Sequence, residues 1–302
     1  MARVGTSAAD DGARAMTDRV ELDPQYVVAR RVLLDALSAL APHGKAVIVV
    51  GAQAIYLRTG LNDLAIAPYT TDGDLALDPT LLGDEPELEA SMRGAGFRLW
   101  GPDGGNRTEP GIWVRHERIG EQDLTFPIDL IVPEAAAADG GRRGARLGVP
   151  GNRAARRAIG LEAALIDHGA ITVSALEPND DRRFDVEVAG LAALIVAKAH
   201  KIHDRAASGR NDRLSDKDAA DVFRIMQTAR PDEVASTLRE LLADPIAGTV
   251  TDHALTYMDE LFGRRAGIGV VMAQRALRLA VDEAQVATLC VAFAEQVRLA
   301  RA

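Results

Sequence analysis

The sequence predicts an α+β fold: a mixed sheet with flanking helices, followed by a mostly helical C-terminal domain. Three observations carry this. Runs rich in β-branched or alternating apolar residues, "KAVIVV", "TDGDLAL" and "DLTFPIDLIV", alternate with helical patterns as far as residue 189. From Gly190 onward, every segment has helical spacing. Aromatics make up only 4% of the chain, while Ala, Leu and Arg are plentiful, which favours helix. At 302 residues the chain can bury a substantial core. The division expected is a flexible tail over 1–20, a core domain over 21–189 and a helical domain over 190–302.

The elements follow in order. Asp23 caps a helix with Pro24 in its first turn, and Val28, Leu33, Leu34, Leu37 and Leu40 recur at helical spacing. Pro42 and Gly44 end it. "KAVIVV" is a buried strand, broken by Gly51, and "AQAIYLRTG" is a short helix closed by Gly60. Residues 61–69 read as loop. "TDGDLAL" is the next strand and "EPELEASMRGAGF" the next helix. Residues 100–118, rich in Gly, Pro and charge, read as a loop or irregular hairpin. "DLTFPIDLIV" is a strand that sends Phe126, Ile128, Leu130 and Val132 to one face and Asp129 to the other. Its Pro127 indicates an edge position or an irregularity. Residues 134–158 read as exposed, and short strands are expected at "AITVSAL" and "RFDVEVAG". "LAALIVAKAHKIHDR" and "SDKDAADVFRIMQTA" are helices, the second with Ser215 as cap and acids in its first turn. Further helices run to the end.

The net charge of −9 argues against a wholly basic nucleic-acid binder but allows a local basic face. Cys290, the single cysteine, lies in an apolar run and reads as a core residue. The first residues lack an apolar h-region, and no apolar run is long enough to span a bilayer. The expectation is a cytoplasmic protein with no membrane partner.

The chemistry-bearing stretch is "YTTDGDLAL". Residues i and i+2 of a strand point the same way, so Asp72 and Asp74 share a face, about 7 Å apart at the backbone. Asp129, on a later strand with the same outward parity, can add a third carboxylate. Oxygen-only ligands favour Mg²⁺ or Mn²⁺. Three carboxylates on neighbouring strands make the cradle that metal-assisted phosphoryl transfer needs. Just upstream, "VVGAQAIYLRTG" is a strand, a glycine turn and a helix start, whose N–H groups can hold a phosphate.

The cations lie downstream. Lys198 and Lys201 are neighbours on one helix face, and Arg205 extends that face. Lys198 follows the apolar "LAALIVA" and so enters the helix from a buried end. His200 and His203 have helical spacing but no third ligand, and read as surface residues. Six arginines fall between Arg142 and Arg157. Two readings of them stand: a solvated loop, or contacts to a phosphate backbone.

A glycine turn with small residues (Gly51, Ala52, Ala54) followed by T-x-D-x-D (Thr70, Asp72, Asp74) resembles the nucleotidyltransferase superfamily with a polymerase-β-like core. Downstream, "AKAHKIHDR" and "SDKDAADVFRIM" are similar to the later motifs of one branch, the AbiEii-type toxins that include the MenT group. The matching positions are Lys198, Arg205, Lys217, Asp218 and Asp221. The resemblance covers roughly residues 45–226. It departs from the family pattern at Gly51-Ala52, at Pro68 and Tyr69, where an arginine is usual, and at Gly73, where a β-branched aliphatic is usual.

The resemblance implies a nucleotidyltransferase-type sheet and a metal-dependent transfer of NMP from an NTP to a hydroxyl. Asp72, Asp74 and Asp129 would hold Mg²⁺ or Mn²⁺. Gly51, Ala52, Thr70, Lys198, Lys201 and Arg205 would hold the nucleotide, with the triphosphate assigned to Lys198. Asp218 either orients a lysine or acts as base, or makes a structural ion pair. The acceptor implied is RNA, in particular the 3′ end of tRNA, met through the Arg142–Arg157 region, with an antitoxin as protein partner. Two other readings compete: an antibiotic-modifying nucleotidyltransferase with a small cationic acceptor, and a degenerate fold that only binds a nucleotide or protein.

Overall fold

Asp23 opens the first helix as its sequence position implies. Its carboxylate accepts the Gln25 N–H at 2.7 Å, and Pro24 begins α1 (Pro24–Ala39). This geometry comes from a computed structural model, which describes residues 22–60, 69–101, 108–137, 144–145, 147, 151–208 and 215–301. The tail over 1–20, most of the 61–69 loop, and Arg142, Arg143 and Arg146 lie outside the described residues.

After α1 the chain forms β1 (Val47–Val50) and then α2 (Gly51–Thr59). Every β1 residue is buried, as its unbroken β-branched run requires. β2 (Gly73–Leu77), α3 (Leu88–Gly94) and β3 (Arg98–Leu99) follow. Then come β4 (Ile112–Ile119), β5 (Gln122–Pro133), β6 (Arg156–Ala158), β7 (His168–Ser174) and β8 (Arg183–Ala189). The remaining helices are α4 (Leu191–Ala207), α5 (Asp216–Thr228), α6 (Pro231–Ala243), α7 (Gly248–Phe262), α8 (Ile268–Leu277) and α9 (Glu283–Arg298). The fold is therefore α+β, with a helical C-terminal region.

The strands make one mixed sheet in the order β3-β4-β5-β2-β1-β8-β7, with β6 added alongside β5. β1 and β2 are antiparallel, while β2 and β5 are parallel, as are β1 and β8. The parallel register sets Gly73 beside Ile128, Asp74 beside Asp129 and Leu75 beside Leu130. α2 packs against both α4 and α5, which ties the sheet to the helical region. Buried apolar residues from α1 to α9 form one continuous core. No helix among the described residues is long and apolar enough to cross a membrane.

Four readings of the sequence need correction. Residues 112–119, read as part of a loop or irregular hairpin, are a regular strand that pairs with β5 as an antiparallel hairpin. The charges of β4 hid it, because they are paired: Arg115 with Asp35 and Glu117, and Glu117 with Arg31. Residues 134–158 are not simply exposed. Ala145, Ala154 and Ala155 are fully buried, and β6 joins the sheet. His200 is buried, with Nε2 at 2.8 Å from the Val250 carbonyl, and is not a surface residue. Ser215 occupies the N-cap position of α5, but its hydroxyl makes no capping bond. Pro127, by contrast, keeps its rule within an interior strand. It pairs with Val114 on the β4 side and lies one residue before the ladder with β2 begins. Cys290 is buried as expected, and burial pushes its thiol up to about 12.

Gly73 has a structural cause. A Cβ placed there would lie 2.5 Å from Ile128 Cδ1 and 3.4 Å from Leu33 Cδ1. The β-branched residue usual at this position would overpack the β2–β5–α1 contact. We expect Gly73→Val to destabilise the fold by about 1–3 kcal/mol in chemical denaturation, the usual cost of overpacking. An unchanged midpoint would contradict this.

Candidate active site

The site begins at the end of β1. Val50 passes directly into Gly51, whose φ of 70° is left-handed and opens α2. A Cβ on Gly51 would stand 2.0 Å from Asp74 Oδ2. Only glycine lets the turn approach that carboxylate, so Gly51 is fixed both by conformation and by contact. Ala52, next in the turn, is buried.

Asp74 is half-buried on β2, and Asp129 is its neighbour on the parallel strand β5. Burial first, then the Asp129 charge, pushes the Asp74 carboxyl up to about 6; Lys201 and Arg156 pull it the other way. Asp72 is exposed and precedes the strand. Its position is fixed through its backbone. Its N–H donates to Thr70 Oγ1 at 3.3 Å, and its carbonyl accepts from Gln53 Nε2 at 3.2 Å. Thr70 is buried, so its part here is to shape the turn. Gln53 is buried too. It also donates to the Ala29 carbonyl and accepts from Arg30 Nε at 3.1 Å.

The three aspartates line one cavity of about 390 Å³ with Thr71, Trp100 and Thr125. Trp100 is 39% exposed there. Among the described residues, no three His, Cys, Asp or Glu side chains gather closely enough to hold a metal unaided. Asp129 instead holds Arg156, which donates from Nη2 at 2.6 Å and from Nε at 3.2 Å, both to Oδ2. The donor set still fits a hard divalent cation, being oxygen-only and anionic.

A second cavity, about 490 Å³, meets the first at Asp74. Its wall includes Gly51, Arg156, Lys198, Lys201 and Arg205. The helix face expected for these cations is present, and its partner is α5. Lys198 is buried and donates to Asp218 Oδ1 and Asp221 Oδ2, each at 2.7 Å. Lys201 and Arg205 reach the same Asp218 at 3.1 and 2.7 Å. Burial works against the charge of Lys198, but the two aspartates outweigh it and hold its ammonium above the usual lysine range. Asp218 is likewise opposed by burial, yet its cations hold it well below the usual carboxylate range. Asp218 is thus ion-paired, and the same contacts orient Lys198 and Lys201.

Asp221 also reaches the Tyr56 hydroxyl on α2 at 3.2 Å, and that hydroxyl lies 3.0 Å from the Tyr69 carbonyl. The chain leading into the T-x-D-x-D turn is thereby tied to the α4–α5 charge network. Of the basic cluster, the described arginines contact the protein itself: Arg153 with Thr108, Arg156 with Asp129 and Arg157 with Glu134.

Sequence reasoning missed Gln53 and Arg156. Gln53 left a signal, as the one polar side chain between Gly51 and Tyr56. Arg156 was hidden within an arginine-rich stretch. No protein-family model matches the chain, and no curated protein matches its sequence.

The Asp74 shift makes stability depend on pH. A carboxyl raised to about 6 binds its proton more tightly in the folded state than in the unfolded chain. That stabilisation is complete below about pH 4 and is lost as pH rises through 6. Asp74→Asn should therefore melt higher than the native chain at pH 7–8, by roughly 1–3 kcal/mol in denaturation, with the gap closing near pH 4. A gap independent of pH would contradict it.

Proposed function

We propose that this protein is a metal-dependent nucleotidyltransferase, moving a nucleoside monophosphate from an NTP to a hydroxyl acceptor and releasing pyrophosphate. The observation that carries this is the in-register Asp74–Asp129 pair beside the Gly51 turn, opening onto a cavity walled by Lys201 and Arg205. A carboxylate pair next to a cavity of about 490 Å³ that carries Lys201 and Arg205 suits a substrate that brings a triphosphate with a cation. It also supports reading the mixed sheet as nucleotidyltransferase-type.

Asp74 and Asp129, with Asp72 on the rim, would hold Mg²⁺ or Mn²⁺. Bound there, the cation supplies charge neutralisation of the triphosphate and a more acidic attacking hydroxyl. The chain's own residues do the rest. The α2 N–H groups at Gly51 and Ala52 face phosphate oxygens, and Lys201 and Arg205 balance the leaving charge. Lys198 acts from behind, as two of its N–H bonds fix Asp218 and Asp221. Gln53 and Thr70 set the backbone that presents Asp72. The acceptor oxygen attacks the α-phosphorus. The bond from that phosphorus to the α,β-bridging oxygen breaks, and pyrophosphate leaves with the electron pair. The hydroxyl proton passes to Asp74, whose proton affinity burial raises.

By the same resemblance the acceptor is RNA, at the 3′ end of tRNA, in a toxin–antitoxin system. A small cationic acceptor is the second reading, favoured by the acidic cavity with its exposed Trp100. The test offers Mg²⁺ and each α-labelled NTP with total tRNA, and separately with a panel of aminoglycosides. We expect label in RNA, reduced by at least about 100-fold in Asp74→Asn, the scale of losing one electrostatic group at a reacting centre. Label in the amines alone would select the second reading. No label in either, with no NTP bound, would overturn both.

A further inference from the structure

Arg156 lines the cationic cavity and reaches Asp129, which lines the other. It lies on β6, in register with Ile131, while Asp129 lies two residues earlier on β5. Its guanidinium closes on Asp129 with two N–H groups aimed at the same oxygen, and it also lines the cationic cavity. The two carboxylates repel each other, and the positive charge of Arg156 offsets part of that repulsion.

The neighbouring arginine differs. Both arginines line the cationic cavity, but the Arg157 side chain is only 13% exposed and holds Glu134, whereas the Arg156 side chain is 31% exposed. Arg156 therefore has room to turn from Asp129 toward the cavity that holds Lys201 and Arg205.

We propose that Arg156 is an internal counter-cation that holds Asp129 in the empty site and turns to the triphosphate when a nucleotide binds, coupling cation and nucleotide binding. This rests on the nucleotidyltransferase reading above. A cation arriving alone must displace Arg156 from Asp129 and leave its guanidinium beside Lys201 and Arg205, a less favourable place than the carboxylate it gives up. A triphosphate arriving with the cation gives that guanidinium new oxygens. Cation alone then binds weakly, and cation with nucleotide binds well. By linkage the two effects are equal in size.

The test is calorimetric titration of native protein, Arg156→Gln and Arg156→Lys with Mn²⁺ alone, then with Mn²⁺ plus α,β-methylene NTP analogues, which cannot transfer. Arg156→Gln should bind Mn²⁺ alone at least about fivefold more tightly, the low end of typical coupling between sites, and the Mn²⁺–analogue complex more weakly. Arg156→Lys, which keeps the charge but loses the two-pronged contact, should fall between. If Arg156→Gln does not fold, judged by circular dichroism, Arg156→Lys decides in the same way. Unchanged or weaker Mn²⁺ binding by the variant, with the native chain binding the analogue, overturns the coupling alone. A native chain that binds no analogue overturns the nucleotidyltransferase reading and this inference with it.

Discussion

The site depends on one unfavourable contact. The parallel ladder of β2 and β5 sets Asp74 directly beside Asp129. Like charges at neighbouring strand positions are destabilising. Burial adds to the cost by weakening the screening of each charge. The surroundings are consistent with a place kept for positive charge. Gly51 gives up its side chain to admit the Asp74 carboxylate, Arg156 binds Asp129, and Lys201 adds a favourable field. A chain built only for stability has no use for this cluster.

The cationic half is organised around Asp218. Three positive groups, on Lys198, Lys201 and Arg205, converge on that carboxylate, and Lys198 shares Asp221 as well. Buried charges are tolerable only when paired, and removing one partner strands the others. This makes the α4–α5 contact a rigid unit. Tyr56 carries that rigidity to the backbone at Tyr69, just ahead of Thr70. Arg224 joins the same corner, donating to Thr59 Oγ1 at 2.8 Å and lying over the Tyr56 ring. The carboxylate and cationic sides are thus held in one relative position by α2.

Much of this was legible in the sequence, for physical reasons. Period-two alternation in "DLTFPIDLIV" assigned the faces of β5 and put Asp129 opposite the core. The unbroken apolar run of β1 marked a strand buried on both sides. The i, i+3, i+7 placing of Lys198, Lys201 and Arg205 gave a single helix face. What was not legible depended on partners distant in sequence. β4 alternates poorly because Arg115 and Glu117 answer charges on α1. In the sequence Gly73 stood out only as a departure from the family pattern, and the packing of Ile128 and Leu33 makes it a requirement. Arg156 is one arginine among six by composition, and its role follows from β6 pairing with β5.

The central claim is that the Asp74–Asp129 pair forms a binding site for a triphosphate together with its cation. It is tested most directly by thermal unfolding with Mg²⁺ alone, NTP alone and both together, for the native chain and for Asp129→Asn. The account predicts a rise in melting temperature for the native chain that needs both ligands, and none for Asp129→Asn. No rise in the native chain, or the same rise in the variant, would contradict it.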